Sequence, residues 1–205
     1  KLHFWSNPWR RWLRFYIMIL GLQHIDQQRI AAIDSNGDIL RYVDIATLSQ
    51  QLTQRIEKRA LCFLLVENNI GGIAWVMSIL NSRKLVPLII NVKTEDGLYQ
   101  QLLNTYQPTY ICAPTYLSVE GQTIDTQYDY TLTKISNTLI PLHVDLSHLL
   151  PTSGSTGSPK LVRHKYENIE AAGLNISTFF ELKPTDRPLM VLPLYYTMGL
   201  SIVFS

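Results

Sequence analysis

Apolar residues along this chain fall into two rhythms: short unbroken runs, and stretches where they recur every three or four positions. Early on, "RIAAIDSNGDILRYV" reads as two short strands joined through Asn36 and Gly37, both of which tolerate positive φ. Ile45, Leu48, Leu52 and Ile56 then share one helical face, which predicts a helix over 45–59 with Asp44 as its N-cap. "LCFLLV" is an apolar run of strand length, "NIGGIAWVMSIL" a mostly apolar helix, and "KLVPLII" a second buried strand. "TEDGLYQQLLNTY" predicts a helix capped by Thr94, and "PTYICA" a third strand.

Strands that alternate with helices in this way imply right-handed crossovers, and near-continuous apolar strands imply burial on both faces. The expected fold class is therefore α/β, with a mostly parallel sheet flanked by helices. Residues 114–146 are more polar and read as a long connection carrying one strand around Tyr130 to Ile135. Further on, "KLVRHK" predicts a short strand and "YENIEAAGLNISTFF" a helix. "RPLMVLPLYYTMGLSIVFS" predicts a strand, a turn and the first turns of another helix.

The first 23 residues stand apart as a helical extension, with 24–205 forming the folded unit. Trp5, Trp9, Trp12, Tyr16 and Ile19 recur at helical spacing beside Arg10, Arg11 and Arg14. Trp with Arg is the composition of an interfacial helix, so contact of residues 1–20 with a membrane surface is one reading. The unbroken apolar run from Phe15 to Leu20 is too short to span a bilayer, and packing against protein is favoured over surface contact.

Composition narrows the function classes. A formal net charge of +2, from 18 basic and 16 acidic residues, gives no basic footprint for nucleic acid. Two cysteines, Cys62 and Cys112, each lie inside an apolar run and read as buried thiols of a cytoplasmic protein.

The candidate chemistry lies in "PTSGSTGSPK". Gly154 and Gly157 allow successive N–H groups to converge on one anion. Thr152, Ser153, Ser155, Thr156 and Ser158 add hydroxyl donors, and Lys160 supplies a mobile positive charge suited to phosphate. The spacing excludes a Walker A loop, which needs four residues between its glycines and a Gly-Lys pair at a helix start. A flexible linker needs neither the lysine nor the apolar strands on both sides.

"LLPTSGSTGSPK" resembles the Ser/Thr/Gly-rich phosphate loop of the adenylate-forming (AMP-binding) enzymes, which include acyl-CoA synthetases, luciferases and peptide-synthetase adenylation domains. "LPLYYTMGL" is similar to the family segment that lines the acyl pocket. "NGDILRYVDIATLSQQL" and "SILNSRKLVPLI" resemble two earlier segments more weakly. The resemblance covers 28–205 and implies the N-terminal subdomain of an adenylate-forming large domain, incomplete at its C-terminus.

Three residues depart from the family pattern: Leu161 and Lys84 stand where glycine is usual, and Tyr196 where histidine is frequent. The family's adenine, ribose and C-terminal lysine segments are not in the sequence.

The resemblance also implies a reaction. A carboxylic acid and ATP, with Mg2+, give acyl-adenylate and pyrophosphate. In the family a thioester often follows, and the resemblance leaves the acceptor open between coenzyme A, a carrier-protein phosphopantetheine and none. Thr152, Ser153, Gly154, Ser155, Thr156, Gly157 and Lys160 would hold the phosphates, with Lys160 neutralising the departing charge. Tyr196, Thr197 and Gly199 would shape the acyl pocket. No residue is assigned to the metal. Residues 1–205 alone are expected to be inactive. The competing reading is a non-catalytic nucleotide-binding or remnant domain.

Overall fold

A computed structural model describes residues 19–152 and 160–205. The aromatic and basic stretch before Ile19 lies outside them. The chain enters through a 3₁₀ turn, Ile19–His24, in which Leu20 and Gly21 adopt positive φ. Ile19 and Leu22 are buried, and the Ile19 N–H donates to Asn81 Oδ1 at 3.2 Å.

Strands β1 (Ile30–Ile33) and β2 (Ile39–Arg41) form an antiparallel hairpin. Its turn differs from the expected pair of positive-φ residues. Gly37 has φ +86°, whereas Asn36 stays outside that region. The Asp34 carboxylate closes the turn instead, accepting from Asn36 N at 2.9 Å and Asp38 N at 3.0 Å.

Helix α1 runs Tyr42–Arg55, starting and ending earlier than the apolar spacing suggested. Asp44 is not its N-cap. It sits at the third helical position and reaches back to accept from Arg41 N at 2.7 Å, one half of a capping box.

Strand β3 (Ala60–Val66), helix α2 (Ile70–Ser82), strand β4 (Leu85–Asn91), helix α3 (Asp96–Tyr106) and strand β5 (Tyr110–Pro114) follow as the apolar runs predict. Thr94 does not cap α3. Its hydroxyl donates to Asn91 O at 2.7 Å and closes the turn out of β4, while Glu95 takes the cap position.

The polar stretch that followed contains two strands, not one: β6 (Gln122–Gln127) and β7 (Tyr130–Lys134). β6 escapes an apolar count because it is an edge strand with mostly polar side chains. Its one buried polar residue, Asp125, pairs with Arg55 at 2.8 Å. Strands β8 (Leu146–Pro151) and β9 (Leu161–Lys165), helix α4 (Tyr166–Phe179) and helix α5 (Thr197–Phe204) complete the chain.

The main sheet has seven strands in the order β6-β7-β5-β3-β4-β8-β9. Its centre, β5-β3-β4-β8, is parallel, while β7, β6 and β9 add antiparallel edges. The fold class is thus α/β with helices on both faces, as the pattern predicts, but the sheet is mixed at its margins.

Alternate residues of β3 divide the interior. Cys62, Leu64 and Val66 pack with α1, α2, α4 and α5, whereas Leu61, Phe63 and Leu65 pack with Leu102 of α3. Both thiols are fully buried and burial pushes their pKa values up, so neither serves as a nucleophile.

Residues 187–192 do not form the predicted strand. Leu189 and Val191 are 80% and 70% exposed, and Val191 N donates only locally, to Leu189 O at 3.1 Å. A strand needs a neighbour for its N–H and C=O groups, and among the described residues none runs alongside this one.

Candidate active site

Successive crossovers place the site. β3 leads into α2 on one face of the sheet, and β4 leads into α3 on the other. Loops leaving adjacent parallel strands toward opposite faces open a crevice at the strands' carboxyl ends, the usual ligand position in such sheets. Glu67, Asn68 and Asn69 after β3, Asn91 at the end of β4, Tyr116 after β5 and Thr152 after β8 all belong to this rim.

The antiparallel pair β8–β9 holds the two ends of the hydroxyl- and glycine-rich segment side by side. Pro151 pairs with Leu161, Thr152 N donates to Lys160 O at 2.9 Å, and the Thr152 hydroxyl reaches the same carbonyl at 3.1 Å. Thr152 and Lys160 are both exposed. Ser153, Gly154, Ser155, Thr156 and Gly157 lie outside the described residues.

Leu161, the departure from glycine, is the first residue of β9, and its side chain packs against the α3-side core. The other departure has a local answer too. Arg83, rather than Lys84, takes the left-handed position that ends α2, at φ +56°.

The second candidate segment is anchored through its backbone. Leu194 is fully buried, and Tyr196 N donates to Pro193 O at 3.0 Å, which turns the chain into α5. Tyr196 takes the N-cap position with its ring 57% exposed, 4.6 Å from the Tyr195 ring centroid. Gly199 is buried because a Cβ there would lie 2.0 Å from Pro193 O.

Thr197 borders a cavity of about 50 Å³ together with His148, His164, Leu200 and Phe204. The structure therefore brings Thr152 to Lys160, and joins Thr197 to strands β8 and β9. It leaves Tyr196 exposed beside them.

The two histidines were not foreseen. His148 and His164 are cross-strand neighbours, stacked at 4.4 Å with a 1° angle between their planes. Ser147 Oγ donates to His164 O at 2.8 Å and meets His148 Nδ1 at 3.0 Å, while His164 Nε2 has no partner. Burial first, and His164 second, hold His148 down to about 3, and burial lowers His164 as well. Both are neutral near pH 7, so they form packing and not an acid–base pair.

On the rim, Tyr116 Oη donates to Glu67 Oε1 at 2.7 Å, and that bond is the main reason its pKa is pushed up to about 12. Among the described residues, no group of three or more His, Cys, Asp or Glu is placed to hold a metal ion. No helix among them is long and apolar enough to cross a membrane.

Residues 133–205 match the AMP-binding enzyme family. A segment of 56 residues, 27% of this chain, is 41% identical to an oxalate–CoA ligase of Saccharomyces cerevisiae and covers 10% of it. Another of 54 residues is 46% identical to a sulfoacetate–CoA ligase of Cupriavidus necator and covers 11% of it.

Among solved structures, o-succinylbenzoate CoA synthetase (MenE) of Bacillus subtilis with its acyl-adenylate matches 89% of this chain and 51% of its own. The TM-score there is 0.67 at 17% identity. Apo MatB of Rhodopseudomonas palustris matches 91% of this chain and 44% of its own, with TM-score 0.67 and 16% identity. MenE has also been solved with ATP and a magnesium ion. The chain thus spans about half of these structures, and its matched segments about a tenth of the curated relatives. Over residues 133–205 the chain is therefore similar to the AMP-binding enzyme family, and over most of its length it shares the fold of MenE and MatB.

Proposed function

We propose that the chain supplies the phosphate-grip half of an ATP-dependent acid–thiol ligase of the acyl-CoA synthetase type. One observation carries this reading. Strands β8 and β9 fix Thr152 and Lys160 against each other, 2.9 Å from N to O, at the carboxyl ends of the parallel strands. The sequence between them is the hydroxyl- and glycine-rich run that suits a polyphosphate.

ATP supplies the α-phosphorus that the carboxylate attacks, and pyrophosphate is the leaving group. The Lys160 ammonium, with the Thr152 hydroxyl and the donors of 153–157, binds the β- and γ-phosphates and offsets charge on the departing group. Tyr196 and Thr197 face the acid, and Gly199 keeps the first turn of α5 close to Pro193. The donors present fit a polyphosphate, and no residue is assigned to Mg2+, which commonly takes one or two carboxylates together with the phosphates themselves. Coenzyme A is the favoured thiol because both curated relatives are CoA ligases.

Acid-dependent exchange of labelled pyrophosphate into ATP tests the reading in the intact protein. Lys160→Ala should cut kcat/KM for ATP by roughly 100-fold, the size of effect seen when one charge-stabilising donor is lost. Its unfolding free energy from urea titration should stay within ~0.5 kcal/mol of wild type, as for an exposed residue. Equal ATP kinetics in mutant and wild type would remove Lys160 from the phosphate site. Absence of exchange in the intact wild type with every acid tried would favour a non-catalytic nucleotide-binding domain.

A further inference from the structure

We infer that Asn68 is a positioning residue for the acid pocket: its carboxamide latches residues 192–194, and through them the start of α5, onto the turn that leaves β3. The inference rests on the reading of 192–200 as the acid-binding segment. It rests independently on a geometry that spans more than half the chain. Asn68 Nδ2 donates to Leu192 O at 2.9 Å, and Asn68 Oδ1 accepts from Leu194 N at 2.8 Å.

Those two backbone groups flank Pro193, which has no N–H of its own. A primary amide carries both an acceptor and a donor, so the single Asn68 side chain satisfies both of those backbone groups. The remaining carbonyl, that of Pro193, turns the chain by accepting from Tyr196 N at 3.0 Å. Leu192 O and Leu194 N are therefore committed to Asn68, and Pro193 O and Tyr196 N to the turn itself.

The platform under Asn68 is rigid on both sides. Glu67 N donates to the buried Tyr130 hydroxyl at 3.0 Å, and Asn69 Oδ1 caps α2 by accepting from Gly72 N at 2.8 Å. A Cβ on Gly72 would lie 3.2 Å from Leu194 Cδ2, so the helix and the segment already touch. Tyr196 and Thr197 begin two residues after the latch, and their placement follows from it. Thr152 and Lys160 lie just beyond β8 and just before β9, and make no hydrogen bond to Asn68 among those described. The latch therefore acts on the acid side of the reaction and not on the phosphate side.

The test compares Asn68→Ala and Asn68→Asp with wild type in the intact protein. Pyrophosphate exchange is run with oxalate and with o-succinylbenzoate as a small and a large probe acid. Asn68→Ala loses both bonds, and Asn68→Asp keeps the acceptor but sets a carboxylate against the Leu192 carbonyl. Either should raise KM for the acid about 5- to 30-fold, equivalent to one or two net hydrogen bonds, with KM for ATP within about twofold. The ratio of kcat/KM between the two acids should change as well, which a general loss of folded protein would not produce.

Hydrogen exchange provides a readout without turnover: amides in 192–200 should exchange faster in both variants, while those of 96–106 keep wild-type rates. An unchanged acid KM in an active enzyme, equal rises in acid and ATP KM, or unchanged exchange in 192–200 would each overturn the latch. A wild type inactive with both acids but showing the exchange difference would count against the ligase reading alone.

Discussion

Gly71 and Gly97 both sit in the first turn of a helix, yet replacing them by alanine should have opposite effects. Helix propensity alone favours alanine at either site by about 0.5–1 kcal/mol. At Gly97 the nearest atom to an added Cβ is Glu95 Oε1 at 4.0 Å, so the methyl enters open space and the gain survives. At Gly71 the same methyl would lie 2.2 Å from the Tyr128 carbonyl oxygen and 2.6 Å from Cδ2 of the Tyr130 ring. Restoring a normal separation of about 3.5 Å means moving a backbone carbonyl by over an ångström, and overpacking of this kind costs about 1–3 kcal/mol. Tyr130 is fully buried and its hydroxyl accepts from Glu67 N, so any retreat of the ring also weakens that bond.

The expected net effect of Gly71→Ala is a loss of about 2 kcal/mol, or roughly 1 M in urea midpoint for a slope near 2 kcal/mol/M. Urea titrations followed by far-UV circular dichroism on the two variants of the intact protein would measure it. If Gly71→Ala raised the midpoint as Gly97→Ala should, the packing of β7 against the start of α2 would be wrong.

Two further outcomes follow from buried polar groups. Tyr130→Phe should destabilise the fold by about 1–3 kcal/mol, because the Glu67 N–H loses its partner, and unchanged thermal melting would refute that bond. His148 binds protons less readily folded, at about 3, than its ordinary 6.5, so the unfolded chain takes up the extra proton. Its contribution is fully present above about 6.5 and falls away as pH drops toward 3. At pH 5 the deficit is about 2 kcal/mol. His148→Gln should flatten the decline, and parallel pH profiles of urea midpoint for mutant and wild type would overturn the assignment.

The central α/β pattern was legible because β3, β4 and β5 are buried on both faces and so carry unbroken apolar runs. β6 was not, since an edge strand exposes alternate polar residues and is stabilised by the pairing of its backbone with β7. The 187–192 stretch has strand composition without strand structure, which shows that composition reports burial preference and not the presence of a partner. Thr94 and Asp44 were placed at caps by residue type. Each instead bonds one turn away, a choice made by the turn geometry around it.

At the candidate site, Thr152 and Lys160 were legible as the polar residues flanking a hydroxyl- and glycine-rich run, and the structure sets them side by side. Asn68 and the stacked histidines were not. Asn68 acts on a backbone 124 residues away, and neither composition nor period reports such a pairing. The only sequence trace is the polar "ENN" directly after an apolar strand.

The separation between Asn68 and Leu192 also sets an order of events. A ribosome delivers the β3–α2 turn long before it delivers 192–200, and at about 5–20 residues per second the gap is on the order of ten seconds. Helices form and hairpins close in microseconds, so that interval is ample for the early strands to begin assembling. Residues 192–194 then arrive onto a turn already in place to receive them. Nascent chains can therefore begin to build the sheet around β3 before the backbone that Asn68 holds has been made.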